Sequence, residues 1–82
     1  MPNKYIQLPY LPLGKEGEIV RIGGGWGLER KIMSMGIMAG KKIKIIINQP
    51  FRGPLLIGID DMELALGYGI ANRIIIKYEN GK

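Results

Sequence analysis

Apolar and polar positions along this chain alternate in short runs that glycine and proline interrupt, the pattern of a mainly β protein. Glu18-Ile19-Val20-Arg21-Ile22 reads as a first strand that stops at the run Gly23-Gly24-Gly25-Trp26-Gly27. Lys42 to Asn48 is the strongest strand signal: Ile43, Ile45 and Ile47 point one way and Lys42 and Lys44 the other, so the three isoleucines are expected inside. Leu55–Ile59, Met62–Leu66 and Arg73–Tyr78 read as further strands. Asp60-Asp61 turns between the first two of these, and Gly67 to Asn72 forms a tight turn or a single 3₁₀ turn. Pro50-Phe51-Arg52-Gly53-Pro54 can only be a hairpin loop, because its prolines have no N–H for a ladder. One stretch, Leu28 to Met35, has helical spacing, with Leu28, Ile32 and Met35 on one side and Gly36 placed to close the helix. The segment 1–13 carries Pro2, Pro9 and Pro12 and is expected to be an extended lead-in, and the tail 79–82 is expected to fray.

About five strands with one short helix after the first make a small, strongly bent barrel, whose closure would hide the sheet edges. With 82 residues the chain is read as a single domain, 1–82, too short for a Rossmann pair, a P-loop NTPase or a (β/α)₈ barrel. Histidine, cysteine and threonine are absent and Ser34 is the only serine, so no nucleophile–base pair can be assembled. The chain is therefore expected not to be an enzyme and to need no cofactor. No leader pattern and no apolar run of membrane-spanning length are visible, so the expected location is cytoplasmic. Twelve Lys and Arg against seven Asp and Glu give a net charge of +5, which favours acidic partners.

Several constellations invite chemistry. The Gly23–Gly27 run lies between a strand and a helix, where glycine loops cradle phosphates, but it lacks both G-x-G-x-x-G and G-K-[ST] and reads as a turn. Trp26 within it can cap the barrel or stand out as an interface anchor. Met33, Met35 and Met38 gather at the helix end; thioethers suit only a soft ion such as Cu(I), and packing is the better account, with Met33 turned away from the buried side. Asp60, Asp61 and Glu63 are the only local acidic group and read as turn chemistry, so no metal site is expected. Ile46, Leu56 and Ile75 oppose the inward residues and either form a contact patch or are buried at the corners of a coiled sheet. Pro9-Tyr10-Leu11-Pro12 has P-x-x-P spacing but reads as extended lead-in. The basic residues are spread over the chain with few aromatics between them, so nucleic acid is not the expected partner.

Leu11-Pro12-Leu13-Gly14-Lys15-Glu16-Gly17-Glu18-Ile19, Ile22-Gly23-Gly24, the helix from Leu28 to Met35 followed by Gly36-Ile37, Gly40 opening a strand, Pro50 to Pro54, and Leu64-Ala65-Leu66 before Ala71 and Ile74 together resemble the ferrous iron transport protein A (FeoA) family. The resemblance implies an SH3-like barrel with an inserted helix. It also implies a cytoplasmic accessory role beside FeoB, the iron permease with a GTPase domain, with contact to the membrane only through that partner. Similar domains end some iron-dependent repressors, so a nucleic-acid-associated or repressor-type module is the alternative. Family members commonly carry arginine where this chain has Gly67. Exposure and chemistry single out Trp26, Arg30, Met33 and Arg52 as partner-binding residues.

Overall fold

The isoleucine-rich segments pair as antiparallel strands. The computed structural model describes residues 3–79. Its elements are β1 (Asn3–Gln7), a 3₁₀ turn (Leu8–Tyr10), β2 (Glu16–Ile22), α1 (Trp26–Ser34), β3 (Lys42–Asn48), β4 (Leu55–Ile59), β5 (Met62–Leu66), α2 (Tyr68–Ala71) and β6 (Ile74–Glu79). All strand pairs are antiparallel, in the order β1-β6-β2-β3-β4-β5. Strands β3, β4 and β5 lie where the pattern predicts them, and β2, α1 and β6 are displaced by one or two residues. The expected fraying begins at Glu79, which instead closes β6; residues 80–82 lie outside the described part of the chain.

The sheet has six strands and not five, because part of the lead-in is a strand. Asn3 to Gln7 fits between Pro2 and Pro9 and pairs with β6, from Asn3 opposite Glu79 to Gln7 opposite Ile75. As an edge strand it needs ladder bonds on one side only, which is why prolines can flank it. Leu8 and Leu11 beyond it are buried, so the lead-in also contributes to the core. Strands β1 and β5 are both edges that do not pair with each other, so the sheet is bent but not closed by hydrogen bonds.

Register shifts in β2 between Ile19 and Arg21, and in β3 between Ile45 and Ile47, supply the bending. The second shift overturns one inward assignment. Ile45 faces Ile57 but Ile47 faces Leu56, so the extra residue at Ile46 turns Ile47 outward, where it is 46% exposed. Ile46, Leu56 and Ile75 are half-buried, which matches burial at bends better than a free patch. Ile19, Ile43, Ile45, Leu55, Ile57, Ile59, Ile74 and Ile76 form the inner face, and Ile32 of α1 covers it. The described core contains no polar or charged side chain.

Candidate functional site

Helix α1 starts where β2 runs out into glycine. Gly24 and Gly25 both take positive φ (101° and 92°), and Gly23 N–H donates to the Arg73 carbonyl at 2.7 Å, tying the loop to the start of β6. A side chain at Gly24 would meet Arg73 Cδ and Leu28 Cδ2, each at 2.6 Å. We therefore expect Gly24→Ala to cost about 1–3 kcal/mol, from left-handed strain and crowding together, read as a lower urea midpoint. An unchanged midpoint would show that the loop rearranges freely. The helix begins at Trp26, not Leu28, because Gly25 ends the left-handed stretch and its carbonyl accepts from Glu29 N–H at 3.0 Å. It ends at Gly36, which takes φ 89°.

One side of α1 meets the core: Ile32 is fully buried and Leu28 partly, as is Met35 just past the helix end. Trp26, Arg30 and Met33 stand four and three residues apart and therefore lie within about 60° of one another around the axis, on the outer face. Trp26 is 73% exposed and Met33 is 47% exposed. Of the two placements open for Trp26, the exposed one is adopted. The Arg30 guanidinium lies 4.7 Å from the Trp26 ring centroid. Cation–π stacking of this kind contributes about 0.5–1 kcal/mol at an exposed site and holds the two groups against each other.

Arg52 does not join this stripe. It belongs to the β3–β4 hairpin and lies 5.7 Å from the Tyr68 ring centroid, while the Tyr68 and Tyr10 hydroxyls are 3.4 Å apart. That hydrogen bond, then desolvation, holds the Tyr68 phenol above its ordinary range, with Arg52 pulling the other way. The phenol accordingly stays neutral at physiological pH. Asn48 Nδ2 donates to the Pro9 carbonyl at 3.2 Å, fastening the hairpin to the lead-in. Phe51 and Arg52 both take φ 58°, and Gly53 N–H donates to the Pro50 carbonyl at 3.1 Å, the geometry of a type I′ turn. That turn prefers Asn-Gly; placing two side chains there costs about 1–2 kcal/mol per residue. Phe51 is 99% exposed at its tip. Sequence pattern identified the loop but not Phe51, because it cannot tell a tip aromatic from one folded back onto the core.

Charge pairing separates lysine from arginine. Lys41 binds Asp60 at 2.7 Å, and Lys77 and Lys42 approach Glu18 at 3.7 and 4.0 Å. Among the described residues no carboxylate pairs with Arg21, Arg30, Arg52 or Arg73, so the four planar cations remain available to anions from outside. Arg21 and Arg73 line a cleft of about 510 Å³ beside the glycine loop, with Gly23, Gly24, Gly69, Asn72 and Ile75. Asp60 sits at φ 54° in the tight β4–β5 turn, where a short carboxylate tolerates the left-handed region. No group of three or more metal-ligating side chains gathers among the described residues, and none of their helices is long and apolar enough to cross a membrane.

Comparison with known proteins places this geometry. The FeoA domain matches residues 6–78. A Methanocaldococcus jannaschii protein, named provisionally as Fe(2+) transport protein A, is 39% identical over 70 residues, 82% of this chain and 83% of its own. The crystal structure of an iron uptake regulatory protein (FeoA) is 30% identical, with a TM-score of 0.82 over 92% of this chain and 100% of that one. The FeoA of Stenotrophomonas maltophilia, crystallised with zinc and described as an SH3 domain protein, is 18% identical with a TM-score of 0.71, over 90% of this chain and 96% of that one. The SH3-like architecture expected of the sequence is thus the one observed, with an open sheet.

Proposed function

This chain belongs to the FeoA family of ferrous iron transport, and on that premise we propose that it is a cytoplasmic, non-enzymatic accessory protein that docks onto the cytoplasmic part of the FeoB permease. The observation that carries the reading is the outer face of α1. Trp26 is 73% exposed, stacked by Arg30 and continued by Met33, with the Arg21–Arg73 cleft at the start of the helix. A bare tryptophan stacked with arginine is the composition of an interface hot spot, and methionine adapts to an irregular partner surface. Unpaired arginines next to it suit a carboxylate-bearing face. Chemistry is left to the partner, because this chain has no histidine or cysteine and one serine, Ser34, whose hydroxyl donates to the Lys31 carbonyl at 2.6 Å.

Titration with the purified cytoplasmic domain of FeoB tests the reading, with and without guanine nucleotide. Trp26 is the only tryptophan, so its emission reports directly on the docking face and is expected to shift to shorter wavelength as the ring leaves water. Saturable binding with that shift supports the proposal. Absence of binding in every nucleotide state would overturn it.

A further inference from the structure

The opposite interest lies at the β3–β4 hairpin, which docking through α1 does not use. Phe51 is 99% exposed at the tip, in a turn whose φ of 58° at Phe51 and Arg52 favours neither residue. Around its base stand Tyr10, Tyr68 and the outward-turned Ile47, held together by the Tyr10–Tyr68 hydroxyl contact, the Arg52–Tyr68 stack and the Asn48–Pro9 hydrogen bond. The segments that meet at this end, 8–13, 45–56 and 66–73, contain no Asp or Glu.

We propose that this end of the fold rests on an anionic membrane surface, with Phe51 inserted beyond the headgroups and Arg52 on lipid phosphates. A convex tip with one bare aromatic fits a deformable surface, whereas a protein acceptor would need a preformed pocket around it. Tyrosines with an apolar ring and a polar end sit at the level where headgroup meets acyl chain. Freedom from carboxylates lets the negative surface potential attract this end without opposition. One inserted ring and a few cations make a weak, reversible contact, as single membrane signals do. The inference is independent of docking on the permease.

Co-sedimentation with protein-free vesicles tests it. Wild-type protein is expected to pellet with equimolar phosphatidylcholine–phosphatidylglycerol vesicles at low salt, less with added salt, and little with phosphatidylcholine alone. Phe51→Asn should reduce partitioning about tenfold or more, and Arg52→Gln about fivefold. Asn accepts the left-handed region better than Phe, so Phe51→Asn should melt no lower than wild type, and its loss of binding cannot be ascribed to unfolding. Trp26→Ala, which removes the docking anchor of α1, should leave vesicle partitioning unchanged. Failure of wild type to pellet with anionic vesicles, or wild-type pelleting by Phe51→Asn, would overturn the proposal, whatever the outcome with the permease.

Discussion

Ile76→Ala is expected to lower the unfolding free energy by about 3–5 kcal/mol, the largest effect of any single truncation considered. Ile76 is fully buried on β6, between Ile6 of β1 and Ile19 of β2. Removing its branched side chain would open a cavity beneath three strands at once. A domain of this length holds only about 5–15 kcal/mol in total, so the melting temperature should fall by roughly 15–25 °C, measured by circular dichroism. Gly17 sharpens the test: it is buried on β2, and a methyl group there would lie 2.9 Å from Ile76 Cδ1. Gly17→Ala should cost about 1–3 kcal/mol by overpacking. Ile76→Val removes the colliding carbon, so the double variant should be more stable than the sum of the single costs implies. Strict additivity would mean that Gly17 is required for something other than room for Ile76.

Trp26→Ala is expected to weaken association with the FeoB cytoplasmic domain by about ten- to thirtyfold, or roughly 1.4–2 kcal/mol. The ring is mostly in water in the free protein, so the same change should cost folding no more than the stack with Arg30, about 0.5–1 kcal/mol. That separation is the useful feature: affinity falls by more than stability does. Arg30→Lys keeps the charge but loses the planar stack over the indole and should fall between wild type and Trp26→Ala. Isothermal titration gives both constants. Wild-type affinity in Trp26→Ala would remove α1 from the interface and leave the hairpin or the arginine-lined cleft as the contact.

Most of the fold was legible along the chain because its signals are local. Alternation at Lys42–Asn48 and the glycine that ends α1 act within a few residues: β3 has the expected bounds, and α1 stops within one residue of the expected Met35. Of the four residues singled out as contacts, Trp26, Arg30 and Met33 come together because helical spacing puts them on one side. Arg52 stands apart because its neighbours, Tyr68 and Tyr10, are distant in sequence. Phe51 escaped notice for the same reason: its exposure depends on what the rest of the chain leaves uncovered.

Composition and spacing by themselves determined that the chain is small and basic, that its segments are mainly β, that histidine, cysteine and threonine are absent, and that a short helix follows the strand ending at Ile22. Those properties follow from residue types and their period. Tertiary structure alone decided that Asn3–Gln7 is a sixth strand, that Ile47 faces outward and that lysines, not arginines, take up the carboxylates. Each of these depends on long-range partners: a free edge on β6, a bulge whose position is set by β4, and the distance between charges on neighbouring strands. No local pattern carries that information, because it exists only once the chain has closed on itself.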